Sequence, residues 1–142
     1  MDIGSPTPGP IVPVTPAAPP GAVIPYTGGP LIVEAALNGV PLRLLVDTGA
    51  DRTLITHAAM ARAGIDVSAG RPVQISGVTG NAAAILVSVP RLDVAGARIG
   101  PLPVIVHTIA GQSVDGLLGR DVLDGFTVTV DAVARRATLI PR

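Results

Sequence analysis

Apolar and polar positions follow one another along this chain in short runs that are separated by glycine-rich turns. Residues 31–37 and 40–46 are two such runs, and Asn38-Gly39 between them is a dipeptide favoured in tight hairpin turns. Further short apolar runs follow at 53–55, 73–76, 83–87, 92–94, 97–99, 104–106, 126–130 and 137–140. This pattern predicts an all-β fold in which many short strands form a closed or nearly closed barrel.

Two short helices are predicted between the strands. Thr56 precedes a helical segment at 57–63 and can cap it, and Gly64 follows where a helix commonly ends. A second helix is predicted from Asp121, as its N-cap, through Leu123. No internal repeat is visible, so the pattern gives no sign of a duplicated, two-lobed chain.

The run at 40–46 ends in a group of polar residues. Three large apolar residues at 44–46 predict a strand buried on both faces, and Asp47, Thr48 and Gly49 follow directly. Burial of a carboxylate costs free energy unless the group is paired or hydrogen-bonded, and burial is a common means of tuning carboxyl pKa values. We therefore interpret Asp47 as a catalytic acid.

A second motif, Leu-Leu-Gly-Arg-Asp at 117–121, occurs later in the chain, and a glycine-rich hairpin tip at 77–81 lies between the two motifs. Together with Asp-Thr-Gly-Ala-Asp at 47–51 after its apolar strand, this motif resembles the retropepsin-like aspartic proteases, and bacterial single-lobed members most closely. The resemblance covers residues 30–142, interpreted as one protease domain. It leaves residues 1–29 unmatched, as a Pro/Gly-rich extended arm or linker.

The resemblance implies an acid-protease β-barrel that is active as a symmetric homodimer, with Asp47, Thr48 and Gly49 as its catalytic residues. In aspartic proteases, two carboxyls about 3 Å apart share one proton, so that one acts as the base and the other as the acid. The chain has one Asp-Thr-Gly, so the second carboxyl would come from another copy. Thr48 would form a hydrogen bond across the dimer, and Gly49 would let the two loops pack closely.

The resemblance also implies a set of substrate contacts. Residues 77–80 would form a flap that closes over the substrate and excludes water, although an ordinary surface hairpin would account for the same glycines. Leu117 and Leu118 would form core and pocket wall. The predicted substrate-binding residues are Ala50, Asp51, Gly77, Val78, Thr79, Gly80, Leu117 and Leu118.

Arg120 and Asp121 are interpreted as structural support for the site. By the resemblance, Arg120 and Asp51 would form an ion pair beneath the cleft, because a guanidinium bonds a carboxylate bidentately and stays charged when partly buried. We expect this pair to be buried, and the alternative is two exposed charges that contribute little. Asp115 is expected to shape a turn rather than to act as a second catalytic acid.

Composition narrows the functional classes further. The net charge is zero, lysine is absent and only one Tyr and one Phe occur, so the chain has no basic, aromatic surface of the kind that binds nucleic acid. There is no cysteine, and His57 and His107 lack a third ligand, so neither a metal nor a cofactor is expected. No apolar run reaches the roughly 18 residues of a membrane span. We expect a soluble domain of the bacterial cytoplasm or periplasm, with the compartment left open.

The N-terminal segment has a different composition from the rest of the chain. Residues 1–30 contain nine of the fifteen prolines, which predicts an extended, polyproline-like conformation. Two interpretations remain open. The segment is either a disordered leader or an arm that packs on its own domain or on a partner through Val23, Ile24 and Tyr26.

These observations predict an aspartic endopeptidase that hydrolyses peptide bonds with a water activated by an Asp dyad from two chains. Its partners would be a second copy of the chain and an extended polypeptide with apolar side chains at the cut. One alternative is a non-catalytic dimeric peptide-binding module on the same fold, in which Asp47 only holds its loop. Another is a protease limited to self-processing, with the proline-rich arm as a remnant of the cleaved region.

Overall fold

The computed structural model describes residues 21–77, 80–109 and 113–142. In these residues the chain is mostly β, as the apolar pattern predicts, and its helices are too short to cross a membrane. The strands are β1 (Ala22–Pro25), β2 (Ile32–Leu37), β3 (Val40–Val46), β4 (Leu54–Ile55), β5 (Arg71–Gly77), β6 (Gly80–Val89), β7 (Leu92–Val94), β8 (Ala97–Ile99), β9 (Leu102–Val106), β10 (Gly116–Leu118), β11 (Phe126–Asp131) and β12 (Arg136–Pro141). The helices are α1 (His57–Arg62) and α2 (Arg120–Leu123).

Local sequence signals place the tight turns. Asn38 and Gly39 join β2 to β3 with φ angles of 50° and 82°, a left-handed conformation that these two residue types tolerate. Ala95 and Gly96 join β7 to β8 in the same way, with φ angles of 50° and 81°. Both predicted hairpins are confirmed. They could be predicted because each turn and the strands it joins are adjacent in the sequence.

The two helices differ in how well the sequence predicts them. The first is confirmed: the Thr56 side chain caps α1, and Gly64 follows its end with a φ angle of 73°. The second begins elsewhere than predicted, since Gly119 is the N-cap residue and Asp121 lies in the first turn of α2. The prediction of Asp121 as the N-cap is therefore wrong, and its carboxylate accepts hydrogen bonds from Thr53 instead.

The larger sheet has nine strands in the order β5-β6-β9-β4-β10-β3-β2-β7-β8. β10 lies between β3 and β4, parallel to the first and antiparallel to the second, although β3 and β4 are neighbours in the sequence. A segment from the last third of the chain is thus inserted between the two strands that flank Asp47. In the described ranges β5 and β8 end the order without pairing with each other, so closure of the barrel stays a prediction.

The smaller sheet has the order β1-β12-β11 and includes part of the proline-rich segment. β1 pairs antiparallel with β12, and Ile24 in β1 is 7% exposed and packs in the core. The Tyr26 N–H donates to the Arg135 carbonyl oxygen at 2.9 Å, whereas Val23 is exposed. Of the three predicted contacts, Ile24 and Tyr26 therefore pack on their own domain and Val23 does not, and residues 1–20 lie outside the described residues.

Aliphatic side chains fill the core, as a chain with one Tyr and one Phe requires. On β3, Leu42 and Leu44 are buried whereas Leu45 and Val46 are half-buried, so the prediction of a strand buried on both faces is wrong. Successive side chains of a strand point to opposite faces, and only one face of β3 lies against the core. The largest fully buried side chains are Leu37, Leu42, Leu44, Ile55, Met60, Leu92, Leu118, Leu139, Val33, Val89, Val94 and Val104.

Candidate active site

Asp47 begins the connection between β3 and β4, here called the acidic loop (residues 47–52). Its backbone N–H donates to the Leu118 carbonyl oxygen at 3.0 Å, which continues the pairing of β3 with β10. Its Oδ1 accepts a hydrogen bond from the Gly49 N–H at 3.0 Å, and the residue is half-buried. The carboxylate is therefore oriented by its own loop while part of it remains accessible.

Two glycines allow close packing beside the acidic loop, Gly116 of β10 against β4 and Gly119 before α2 against the loop itself. A Cβ at Gly116 would lie 2.1 Å from the backbone oxygen of Leu54, and one at Gly119 would lie 2.6 Å from the backbone carbonyl carbon of Arg52. Both separations are far inside van der Waals contact, and both involve backbone atoms that cannot move aside cheaply. Because neither glycine has a side chain, the last third of the chain can lie directly against β4 and the acidic loop.

Backbone hydrogen bonds connect the acidic loop to α2. The Arg120 N–H donates to the Ala50 carbonyl oxygen at 2.8 Å, and the Asp121 N–H donates to the Asp51 carbonyl oxygen at 3.2 Å. The Arg120 guanidinium also forms an ion pair with the Asp51 carboxylate. These two side chains are 53% and 81% exposed, so the predicted pair is present but its predicted burial is wrong for the single chain. Both side chains extend to the surface, where an ion pair contributes little to stability.

Thr53, which follows the acidic loop, is fully buried, and both its N–H and its hydroxyl form hydrogen bonds. Its N–H donates to Oδ1 and Oδ2 of Asp121 at 3.0 Å each, and its Oγ1 donates to Oδ1 of Asp121 at 2.8 Å. The same hydroxyl accepts a hydrogen bond from the Gly119 N–H at 3.2 Å. This network holds the start of β4 against α2. The only indication of this network in the sequence is that Thr53, which carries a hydroxyl group, begins an apolar run.

A cleft of about 470 Å³ lies beside the acidic loop. Residues 49–52 line one side, and residues 74–76 of β5 line the other. Leu54, Ile105 and Leu117 also line it, and their aliphatic side chains come from three adjacent strands, β4, β9 and β10. The cleft therefore combines an apolar floor with charged groups on one side.

A family model described as aspartyl protease matches residues 33–122, which is more than half of the chain. The chain belongs to the aspartyl protease family. The crystal structure of a retropepsin-like aspartic protease from Rickettsia conorii is similar, with a TM-score of 0.68 and 20% sequence identity over 84% of this chain and 89% of that chain. The fold is retropepsin-like, and the resemblance predicted from the sequence is confirmed. A comparison with curated protein sequences gives no match.

The predicted site residues occupy different environments. Ala50 and Asp51 line the cleft, and so does Leu117. Leu118 is fully buried in the core, so it does not form part of the cleft wall as predicted. The reason is the alternation of side chains along β10, which sends Leu117 and Leu118 to opposite faces.

The segment predicted as a flap corresponds to the end of the β5–β6 hairpin. Gly77 is paired with Gly80 where the two strands meet. Val78 and Thr79, the predicted tip, lie outside the described residues. The strand residues before the tip, at 74–76, line the cleft, although the sequence motifs did not include them.

The Asp115 carboxylate has structural partners on two elements. Its Oδ2 accepts a hydrogen bond from the Arg43 N–H at 2.9 Å, and its Oδ1 pairs with the Arg62 guanidinium at 3.0 Å. The carboxylate thus connects β3 to α1. This arrangement agrees with a structural role for Asp115 and not with a catalytic one.

Proposed function

We propose that this aspartyl protease is an endopeptidase in which two copies of the chain each contribute Asp47 to one catalytic dyad. The observation that carries the proposal is the placement of Asp47 at the end of β3, with its carboxylate oriented by the Gly49 N–H and partly accessible. The adjacent cleft, with its apolar floor, has the character expected for binding a polypeptide. Membership of the aspartyl protease family supports the class of reaction.

The second copy is needed because one carboxyl cannot serve as base and acid in the same step. Two carboxyls about 3 Å apart do not both ionise, since their like charges repel, so they share one proton. Thr48 and Gly49 are exposed in the single chain, which supports a contact between two acidic loops on a twofold axis. We expect Thr48 to form a hydrogen bond to the loop of the second copy and Gly49 to keep the two loops close.

The proposed reaction begins with a water molecule held between the two carboxyls. The ionised Asp47 removes one proton from this water, and the water oxygen attacks the carbonyl carbon of the peptide bond. The protonated Asp47 of the second copy donates its proton to the carbonyl oxygen. When the tetrahedral intermediate breaks down, the dyad donates one proton to the leaving amine and takes up another from a hydroxyl of the intermediate.

The substrate would be a polypeptide in an extended conformation. β5 is at one end of the sheet order, so its outer edge has no strand partner among the described residues. An extended peptide can bind to such an edge through backbone hydrogen bonds, with its apolar side chains on the floor of the cleft. The predicted flap at 77–80 would then close over the peptide and exclude water. Arg120 and Asp121 would keep the acidic loop in position.

The test compares Asp47→Asn with Asp124→Asn, which removes an exposed carboxylate from α2's C-cap. With a mixed peptide library and cleavage detected by mass spectrometry, Asp47→Asn should abolish cleavage and leave the unfolding midpoint unchanged. Asp124→Asn should retain activity. The specific activity of the wild type should also rise with concentration as the dimer forms.

Two results would contradict the proposal. The first is a chain that remains fully active at a dilution where ultracentrifugation finds only monomer. The second is cleavage by purified Asp47→Asn at the rate of the wild type. Peptide binding without any cleavage would favour a non-catalytic module, and cleavage confined to residues 1–29 would favour self-processing.

A further inference from the structure

Arg52 places a positive charge in the cleft, and no ion pair among the described residues neutralises it. It lines the cleft at the end of the acidic loop, and it is exposed. The ion pairs formed among the described residues involve Arg62, Arg91, Arg98 and Arg120 but not Arg52. A guanidinium in this position is therefore available to a group that enters the cleft.

Two carboxylates adjacent to this part of the loop are already engaged, that of Asp51, which precedes Arg52, and that of Asp121, which bonds to Thr53 after it. Asp51 is paired with Arg120. Asp121 accepts hydrogen bonds from the N–H and hydroxyl of Thr53 and from the Val122 N–H, at 2.8 to 3.0 Å. Neither acid is left to occupy the Arg52 guanidinium.

The backbone of Arg52 is held firmly although its side chain is exposed. A Cβ at Gly119 would lie 2.6 Å from the carbonyl carbon of Arg52 and 2.7 Å from its carbonyl oxygen, so the Arg52 backbone packs directly on α2. The next N–H along the chain, that of Thr53, is bonded to the Asp121 carboxylate. Binding a ligand therefore requires ordering of the Arg52 side chain alone, which lowers the entropic cost of recognition.

We infer that Arg52 is a specificity-determining residue that selects peptides carrying an Asp or Glu side chain close to the bond that is cut. This inference rests on the proposed function and names its substrate class. A guanidinium donates two parallel hydrogen bonds to a carboxylate, which gives both attraction and orientation. The floor formed by Leu54, Ile105 and Leu117 binds a neighbouring apolar side chain, so the preferred segment combines an apolar residue with an acidic one.

The test uses ten-residue peptides with an apolar centre, synthesised in pairs that carry Glu or Gln at each position in turn. For the wild type we expect kcat/KM to be about fivefold higher for the Glu peptide than for the Gln peptide at one position, as for a partly solvated ion pair. Arg52→Gln should abolish this ratio, and Arg52→Glu should favour Lys at the same position. Arg98→Gln removes the same charge from β8, outside the cleft, and should leave the ratio unchanged.

The preference should also depend on pH and salt in a defined way. As the pH falls through about 4.3, the ordinary pKa of Glu, the substrate carboxyl becomes neutral while Arg52 stays charged, so the ratio should approach one. Asp51 also lines the cleft, Asp47 belongs to the same loop, and Arg120 and Asp121 lie on α2, and these groups affect both peptides of a pair alike. At 1 M salt, where the Debye length is about 3 Å, the ratio should shrink at neutral pH.

Binding to Asp47→Asn separates this inference from the proposed function. Fluorescence anisotropy with the same labelled peptides should show tighter binding of the Glu peptide, and Asp47→Asn combined with Arg52→Gln should remove the difference. If the wild type cleaves nothing but this difference is present, the proposed function fails, and only the selection of acidic peptides by Arg52 in binding stands. If Glu and Gln peptides are cleaved and bound equally at every position, the inference is wrong while the protease proposal stands.

Discussion

The acidic loop and the β5–β6 hairpin lie on opposite sides of the same cleft, but they are held by different kinds of contact. The loop is bonded to segments that are distant in the sequence, through Leu118, Arg120 and Asp121. The hairpin joins the rest of the sheet through residues 85–89 of β6, which pair with β9. Residues 73–77 and 80–84, here called the ribbon, pair with each other beyond that point.

From this difference we expect a rigid side of the cleft and a movable one. A two-stranded hairpin is only marginally stable by itself, so the ribbon can open while the rest of the sheet stays folded. The contacts of the acidic loop exist only when β10 and α2 have packed against it, so the loop should open only on global unfolding. A fixed loop that carries the charged groups, opposite a ribbon that can move to admit a peptide, suits the proposed function.

Gly116→Ala should produce the largest effect on the rigid side. The new Cβ would lie 2.1 Å from the Leu54 carbonyl oxygen, so we expect a loss of about 3 kcal/mol in the free energy of unfolding. Urea denaturation measures this loss. Gly29→Ala is the control, because a Cβ there meets no atom within 4 Å, and it should change stability by less than about 0.5 kcal/mol. Equal midpoints for the two variants would mean that close packing at β10 does not hold the loop.

Thr53→Val should have the next largest effect. The substitution keeps the shape of the side chain but leaves the Gly119 N–H without its acceptor and removes one donor from Asp121, so we expect a loss of about 2 kcal/mol. Thr127→Val, on the exposed face of β11, is the matched control and should stay within about 0.5 kcal/mol of the wild type. If Thr53→Val is as stable as its control, the buried network does not make the loop rigid.

Hydrogen exchange should distinguish the two sides directly. We expect hydrogen-bonded amides of the ribbon to exchange through local openings whose free energy is at least about 1.5 kcal/mol below that of the Asp47 and Arg120 amides. Native-state exchange followed by NMR at several low denaturant concentrations gives both values. Ribbon amides that exchange only with global unfolding would contradict a movable side of the cleft.

Arg120→Gln should have the smallest effect. The ion pair with Asp51 is largely exposed, so its loss should cost less than about 0.5 kcal/mol in dilute protein. A double-mutant cycle with Asp51→Asn measures the pair alone. A coupling energy above about 2 kcal/mol that is present only at dimer-forming concentrations would instead indicate that a second copy buries the pair.

Much of the local structure could be predicted because it depends on residues that are close in the sequence. The Asn38-Gly39 turn, the cap at Thr56 and the end of α1 at Gly64 are set by the backbone preferences of those residues. Alternating apolar runs predicted the hairpins for the same reason. The motif around Asp47 could be recognised because its chemistry is carried by consecutive residues.

The sequence by itself therefore determined the strands other than β1 and β10, the tight turns and the position of Asp47 at the end of one strand. Only the tertiary structure decided that β10 lies between β3 and β4, that Asp121 bonds to Thr53 rather than capping α2, and that the Asp51–Arg120 pair is exposed. These features join segments more than 60 positions apart, and such contacts depend on how whole strands pack and not on local preference. The role inferred for Arg52 also depends on tertiary structure, because it requires that Asp51 is paired with Arg120 and that Asp121 is bonded to Thr53.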